Sequence, residues 1–234
     1  MSQSEAAKGE AGFPEIIPIF PLTGVLLLPR GRLPLNIFEP RYLAMTRDAL
    51  GGERLIGMIQ PSEPVPGDLV GRDPAAATRT PAVYPTGCAG RITQFSETDD
   101  GRYLITLTGV SRFRIREELP LLSGYRRVVA DWGAFEGDRH RDADDDEPGF
   151  DRERLVAALR SYFAPRKMSL DWDAIRAAPG EQLVNSLAML CPFDPGEKQA
   201  LLEAADLAER ARLLTAIVEM AALKPTQPGT DARH

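Results

Sequence analysis

Short apolar runs bounded by proline and glycine dominate the first half of the chain. EIIPIFPL and LPLNIF are closed by prolines, as strand ends tend to be, and RLIGMIQP at residues 54–61 repeats the form. RITQFSE and RYLITLT flank the turn Thr98-Asp99-Asp100-Gly101 and alternate apolar with polar positions, which predicts a β-hairpin. FRI and YRRVVADW add further strands. Many short strands with glycine and proline turns favour a barrel or rolled sheet.

The apolar period changes from two to about 3.6 residues after residue 150, which predicts helices. One helical face of DRERLVAALRSYFA carries Leu155, Leu159, Tyr162 and Phe163. A second helix is predicted over Gly180–Leu190. Asp194, the proline after it and Glu197 predict a helix start, because such residues satisfy or replace free N–H groups of the first turn. Asp206 and Glu209 repeat this pairing before LAERARLLTAIVEMAAL.

These patterns predict an α+β chain of two modules. The β-rich module covers residues 14–137 and the helical bundle residues 151–224, with an acidic linker at 138–150 between them. Residues 1–13 and 225–234 are predicted to be disordered tails. The stretch 62–82 is rich in proline and has no apolar period, so it is predicted to be a long surface loop.

The charge distribution argues against nucleic acid as a partner. The 234 residues carry a formal net charge of −6, and residues 138–153 alone hold eight acidic and three basic side chains. The rest of the chain is nearly neutral, so it lacks the basic stripe that steers proteins onto nucleic acid. The longest aliphatic run, Val25 to Leu28, is too short to span a bilayer, and we expect no membrane contact and a cytoplasmic location.

Catalytic, cofactor and metal motifs are absent from the sequence. GxxxxGK[ST], GxSxG and HExxH do not occur, and the two histidines lie in the acidic linker and at the last residue. Cys88 and Cys191 lack a CxxC partner. Residues 142–153 resemble a calcium loop, but Glu147 stands at the sixth position, where a glycine is normally required. The chain is therefore predicted not to be an enzyme and to need no cofactor or metal.

The stretch LPLNIFEPRY ends in Glu39, Pro40, Arg41 and Tyr42. A general acid at Glu39 would need a second carboxylate or a histidine nearby, and the local sequence has neither. Proline suits the first turn of a helix, and a carboxylate is favoured at the positive end of the helix dipole. These residues are therefore interpreted as the joint between a strand and a helix that runs to Gly51.

The segment SRFRIRE places three arginines on one face of a strand, with Phe113 and Ile115 on the other. The arginines are Arg112, Arg114 and Arg116. They could form a surface for small anions or RNA, or a solvent face paired with the many acids of the chain. The sequence leaves both interpretations open.

Three longer segments together resemble one protein family. They are IPIFPLTGVLLLPRGRLPLNIFEPRYLAM, GCAGRITQFSETDDGRYLITLTGVSRFRI and EKQALLEAADLAERARLL. Spread over residues 15–224, they are similar to the N-terminal, substrate-recognition domain of Lon proteases. The resemblance implies a PUA-like β-barrel followed by an α-helical bundle. Lon proteases continue into an ATPase module and a protease module with a Ser-Lys dyad, so the chain resembles stand-alone bacterial proteins that lack both.

The resemblance implies a non-catalytic module that binds unfolded or partly folded polypeptide. Such a module could act as an adaptor and contact a separate Lon-type protease. The expected contact surface is the VLLLPRGRLPL loop with Leu26, Leu27, Leu28 and Leu33, because three consecutive leucines cannot all point into one face of a sheet. The run could instead be buried on both sides.

Two alternative functions remain open at this point. Other PUA-like domains bind RNA or small ligands, although the near-neutral charge of the body argues against RNA here. A peptidase would need a nucleophile such as Ser161 or Ser169 near Lys167. The oligomeric state is not indicated by the sequence.

Overall fold

The computed structural model describes residues 12–62, 81–140, 150–166 and 171–223. The strands in these residues are β1 (Ile16–Pro21), β2 (Arg32–Ile37), β3 (Leu55–Ile59), β4 (Thr86–Glu97), β5 (Tyr103–Leu122) and β6 (Tyr125–Asp131). The helices are α1 (Pro40–Leu50), α2 (Gly137–His140), α3 (Arg152–Phe163), α4 (Trp172–Ala177), α5 (Gly180–Leu190), α6 (Pro195–Glu203) and α7 (Leu207–Leu223). Short 3₁₀ turns lie at Gly133–Phe135 and Ala164–Arg166.

The strands form one mixed sheet that closes into a near-barrel ring. Their order is β2-β5-β4-β3-β1-β6, and β6 also pairs with β5, so β2 is left as an edge strand outside the ring. Only the pairing of β1 with β3 is parallel among the described strands. Because β5 pairs with β4 along its first part and with β6 along its second, it closes the ring. The expected α+β arrangement of a β-rich module followed by helices is confirmed.

The predicted hairpin is present, but its second strand is longer than the sequence suggests. RYLITLT and FRI, predicted as separate strands, both belong to β5, which has 20 residues. Tyr103, Ile105 and Leu107 are buried, as their alternation predicts. Register shifts at Ala89/Gly90 and Ile92/Gln94 let β4 follow β5 as the sheet bends.

Gly109 in the middle of β5 allows a loop to lie directly on the strand. A Cβ atom there would meet the carbonyl carbon of Leu28 at 2.8 Å, and the carbonyl oxygen still more closely. The N–H of Gly109 donates to the carbonyl of Gly31 at 2.9 Å, and the N–H of Arg30 donates to the carbonyl of Gly109 at 2.8 Å. The loop before β2 is therefore fixed to β5 by its backbone.

The helix starts that the sequence predicts are confirmed. α5 has the predicted bounds. The Glu197 carboxylate accepts a hydrogen bond from the Asp194 N–H at 2.9 Å, and the Asp206 carboxylate accepts one from the Glu209 N–H at 2.7 Å. The sequence does not predict α4, which has no buried residue and therefore no apolar period.

One hydrophobic cluster contains buried side chains of both the sheet and the helices. Leu27 and Leu107 belong to it, as do Leu183 on α5 and Leu214 on α7. A smaller cluster gathers around Phe113 and Trp132. Because the larger cluster is shared, the helices pack directly against the sheet, and this contact creates the clefts described below.

Several predicted segments lie outside the described residues. They are the tail as far as residue 11, the greater part of the proline-rich loop at 63–80, most of the acidic linker at 141–149, and residues 224–234. Lys167 and Ser169 also lie outside them.

Candidate functional site

A groove of about 440 Å³ lies between the loop before β2 and helix α5. We call it the α5 groove, and its lining residues are Pro29, Arg30, Gly31, Arg32, Pro179, Glu181, Gln182, Asn185, Ser186, Met189 and Leu190. Leu190 is 82% exposed, although it lies in line with Leu183 on an amphipathic helix. An apolar wall with a few convergent polar groups is typical of ligand-binding clefts.

The leucine run just before this groove is buried. Leu26, Leu27 and Leu28 expose 3%, 1% and 0% of their surface. The prediction that part of the run is exposed is therefore wrong, because the run packs in the cluster shared by sheet and helices. Leu33 on β2 is half-buried. The exposed part of the predicted loop begins at Arg30, where the α5 groove begins.

Arg30 and Glu181 form an ion pair at one end of the α5 groove. Arg30 Nη1 donates to Glu181 Oε1 at 2.6 Å and to Oε2 at 2.7 Å. Arg30 has a φ of +63°, in the left-handed region that non-glycine residues rarely adopt. Its N–H is held by the carbonyl of Gly109. Residues in such sparsely populated conformations are often found at ligand sites.

A smaller cavity of about 180 Å³ adjoins this end of the groove. Pro29, Arg30 and Glu181 line both spaces. We call the smaller space the polar cavity, and its other lining residues are Arg112, Ala134, Phe135, Gly137, Asp138, Ala205, Asp206, Leu207 and Arg210. The α5 groove and the polar cavity are therefore neighbouring spaces that share these three residues, one with much apolar surface and the other lined by several charged groups.

Arg112 on β5 is buried in the wall of the polar cavity. Its Nη2 lies 2.8 Å from Asp138 Oδ1, and its Nε donates to Asp138 Oδ2 at 2.9 Å. Its Nη1 donates to the carbonyls of Leu202 and Ala204 at 3.0 and 2.5 Å. These carbonyls stand at the C-terminal end of α6, where backbone oxygens lack helical partners. Arg112 therefore joins the sheet to the helices, and its hydrogen bonds use all three of its nitrogens.

Arg210 in the first turn of α7 is also buried, with 3% of its surface exposed. Its Nε donates to the carbonyl of Leu201 at 3.0 Å, and its Nη1 donates to Asn185 Oδ1 at 3.0 Å. Asn185 Nδ2 in turn donates to the carbonyl of Pro29 at 3.2 Å. Burial, and to a lesser extent the nearby Arg112 guanidinium, lower the pKa of Arg210 to about 10.

A second exposed apolar surface lies on the outer face of β2, β5 and β4. It is a shallow depression of about 570 Å³, and we call it the β2 face. Leu104 is 46% exposed there, and Phe38, just after β2, is 60% exposed. Pro34 lies in the edge strand and has no N–H to donate, so a polypeptide added as a further strand would lack one backbone hydrogen bond.

The described residues contain no group of three or more His, Cys, Asp or Glu side chains that could hold a metal ion. None of the helices in these residues is long and apolar enough to span a bilayer.

The Ser161 hydroxyl donates to the carbonyl of Ala157 at 3.2 Å on the exposed side of α3. Buried Lys198 donates to the carbonyls of Gly24 and Met189 at 2.8 and 3.4 Å. Both side chains thus have hydrogen bonds that serve the fold.

The family model of the ATP-dependent protease La (Lon) substrate-binding domain matches residues 16–220. The chain belongs to this family. The resemblance seen in the sequence is thereby confirmed, and the residues that line the α5 groove and the polar cavity all lie within the matched range of this Lon substrate-binding domain.

Relatives of this Lon domain include complete proteases. Lon protease 2 of Myxococcus xanthus is 25% identical over 206 residues, which are 86% of this chain and 23% of that protein. Lon protease 2 of Sorangium cellulosum is 27% identical over 208 residues, which are 86% of this chain and 24% of that protein. The chain therefore spans about a quarter of the length of the curated relatives it matches.

Two solved structures have a similar fold. The Lon N-terminal domain protein from Xanthomonas campestris has a TM-score of 0.56 at 25% identity, covering 86% of this chain and 97% of that one. The N-terminal domain of the Mycobacterium avium complex Lon protease has a TM-score of 0.57 at 16% identity, covering 87% and 97%. The second likeness supports the fold alone.

The residues of the predicted joint lie about the start of α1. Glu39 is the N-cap residue, but its side chain makes no capping hydrogen bond. Instead it accepts a hydrogen bond from Arg41 Nε at 3.0 Å. Tyr42 is buried, and its ring centroid lies 4.2 Å from that of Phe20. These contacts connect β1 and α1, and they bring no second acid to Glu39.

The three arginines of SRFRIRE do not form one surface. Arg114 and Arg116 are exposed, whereas Arg112 is 4% exposed. The expectation of a solvent face is therefore wrong at Arg112. Its side chain is covered by the end of α6, where it donates to the carbonyls of Leu202 and Ala204.

Sequence reasoning missed the charged residues of the polar cavity, and a signal for one of them was present. The apolar face of α7 contains Leu207, Leu214 and Val218, and Arg210 falls three residues after the first of these. An arginine within an apolar helical face is either paired or functional. Asn185 within the apolar face of α5 gives the same signal.

Proposed function

We propose that this Lon substrate-binding domain binds unfolded or partly folded polypeptide in the α5 groove without cleaving it. The match to a substrate-binding domain over residues 16–220 carries the proposal. The proposal includes an adaptor role, in which the bound polypeptide is delivered to a separate Lon-type protease. The relatives named Lon protease motivate that role.

The α5 groove suits a polypeptide in size and chemistry. Its volume of about 440 Å³ accommodates a few side chains rather than a folded protein. Met189 and Leu190 give it apolar surface, and methionine is a flexible side chain that adapts to ligands of different shape. Gln182 and Ser186 provide hydrogen-bonding groups for the backbone of a bound chain. Such a site selects apolar sequence without requiring one particular residue.

Leu190 gives a direct test, because it is exposed and its substitution spares the core. Burial of a leucine side chain on binding contributes about 1.5–3 kcal/mol, so Leu190→Glu is expected to weaken binding of a labelled unfolded protein about ten-fold or more. Leu223→Glu is the matched control, since Leu223 is 85% exposed at the end of α7 and lies outside the groove. Fluorescence anisotropy measures both dissociation constants.

Two results would contradict the proposal. Absence of binding to unfolded protein at about 50 µM would remove polypeptide binding as the function. A loss of binding in Leu104→Glu, with full binding in Leu190→Glu, would place the contact on the β2 face instead.

A further inference from the structure

The polar cavity contains one guanidinium group that forms no ion pair with a carboxylate of the described residues. Of the three guanidinium groups that line it, Arg112 is paired with Asp138 and Arg30 with Glu181. Within the described residues, Arg210 donates to the Leu201 carbonyl and to the Asn185 amide oxygen. Among the described residues no carboxylate lies within ion-pairing distance of Arg210.

One nitrogen of Arg210 has no acceptor among the described residues. Its Nε and Nη1 have the acceptors just named, whereas Nη2 has no acceptor in the described part of the chain. Arg210 lines the polar cavity, and Nη2 is its one nitrogen left for an acceptor there. A buried guanidinium with a free donor is costly unless a ligand or water accepts from it. Burial and the nearby Arg112 guanidinium lower the pKa of Arg210 to about 10, while Asp138 and Glu181 act in the opposite direction.

The surroundings restrict the anion that would fit. Asp138, Glu181 and Asp206 also line the polar cavity, and they repel a dianion such as phosphate more strongly than a group with a single negative charge. A planar carboxylate carries a single charge and accepts from a guanidinium edge in good geometry. The volume of about 180 Å³ holds one such group with its neighbouring atoms.

The position of the cavity indicates where the carboxylate comes from. Pro29, Arg30 and Glu181 belong to both the polar cavity and the α5 groove, so the two spaces adjoin and the end of a chain lying in the groove could reach Arg210. The partly exposed Arg30–Glu181 pair stands between the two spaces. Such pairs contribute little net stability, so an incoming chain can displace this one.

We infer that the polar cavity captures the free C-terminal carboxylate of a polypeptide through Arg210 Nη2, while the residues before that terminus occupy the α5 groove. This inference rests on the proposed function, and it adds a recognition element. Polypeptides that end in a free carboxylate after an apolar segment are then preferred over internal segments of the same composition.

The test compares two labelled peptides of one apolar sequence, one ending in a free carboxylate and the other in an amide. Hydrogen bonds to charged groups contribute more than neutral ones, so the acid is expected to bind the wild-type chain about ten-fold more tightly at neutral pH. This comparison needs no substitution. Equal dissociation constants for the two peptides would overturn the inference but leave the proposed function intact, and no binding of either would overturn the proposed function.

A pair of variants at Ala205 tests the place of capture without altering buried Arg210. Ala205 is exposed and lines the polar cavity. Ala205→Glu adds a negative charge beside the expected carboxylate and should abolish the preference for the acid, whereas the uncharged Ala205→Gln should retain it. Retention of the preference in both variants would overturn the inference. Inorganic phosphate competing as well as acetate for the wild-type site would also contradict it.

Discussion

Arg112 on β5 and Asp138 in α2 form an ion pair, 2.8 Å at its closest, in which both side chains expose less than a tenth of their surface. Through its third nitrogen, Arg112 also holds the last carbonyls of α6. One side chain of the sheet thus fixes the turn after β6 and a helix of the second half. The polar cavity owes its shape to this arrangement.

Removal of the Arg112 guanidinium should destabilise the chain strongly. Arg112→Leu leaves Asp138 buried without its cation and leaves two carbonyls unpaired, which is expected to lower the free energy of unfolding by about 3 kcal/mol or more. Urea denaturation measures the change. Arg116→Leu is the control on the same strand, because the Arg116 side chain is 64% exposed and lies 3.8 Å from the Glu15 carboxylate. Its free energy of unfolding should change by less than about 0.5 kcal/mol. Similar effects of the two substitutions would contradict this account.

Gly109→Ala should also reduce stability. The new Cβ would clash with the Leu28 carbonyl, which accepts from the Gly31 N–H and is followed by the backbone bonds of Arg30 and Gly31 to Gly109, so strain of about 1–3 kcal/mol is expected. Gly137→Ala is the control, because nothing lies within 4 Å of the added Cβ. The free energy of unfolding of this variant should change by less than about 1 kcal/mol. Thermal denaturation of both variants makes the comparison. A Gly109→Ala protein as stable as wild type would show that the loop is not docked on β5 as described.

Tyr42 should contribute more than Glu39 to the stability of the joint at the start of α1. Tyr42→Ala removes a buried ring packed on Phe20 and should cost about 3–5 kcal/mol of unfolding free energy. Glu39→Gln disturbs a largely exposed ion pair with Arg41 and should cost less than about 1 kcal/mol. Chemical denaturation distinguishes the two values. The reverse order would show that the charge at Glu39 fixes the joint.

Tyr125 should make stability sensitive to alkaline pH. Burial and a 2.8 Å hydrogen bond that its hydroxyl donates to Asp48 raise the pKa of Tyr125 to about 12. The folded state therefore keeps this proton to higher pH than the unfolded state, in which tyrosine titrates near pH 10. The resulting stabilisation is fully present below about pH 10 and is lost as pH rises towards about 12.

The comparison of wild type with Tyr125→Phe isolates that contribution. Denaturation at about pH 9 and about pH 11.5 should show a steeper loss of unfolding free energy for wild type than for the variant. Parallel pH profiles would mean that Tyr125 titrates alike in the folded and unfolded chain.

Local patterns were sufficient for most elements of the fold. The alternation of Tyr103, Ile105 and Leu107 predicts their burial, and the pairing of Asp194 with Glu197 predicts the start of α6. These signals arise from contacts within a few residues, so the sequence contains them directly. The continuity of β5 was missed because Gly109, which resembles a strand end, instead allows a close backbone approach.

The candidate site was predicted only in part, because its walls are far apart in the chain. Of the VLLLPRGRLPL loop, Pro29 to Arg32 line the α5 groove, whereas the leucines expected to make the contact do not. Burial of Leu26 to Leu28 could not be derived locally, since Leu183 and Leu214 belong to segments more than 150 residues away. The contacts of Arg210 are likewise distant in the chain from the sheet, since they are made with Asn185 in the middle of α5 and with the Leu201 carbonyl near the end of α6.

Site-specific photo-crosslinking tests polypeptide binding in the α5 groove most directly. A photoreactive residue is placed at Ser186 in the groove or at Ser96 on the β2 face, both exposed serines, and each protein is irradiated with a labelled unfolded polypeptide. We predict crosslinks from Ser186 and few from Ser96. Crosslinks from Ser96 alone would contradict the assignment of the α5 groove as the binding site.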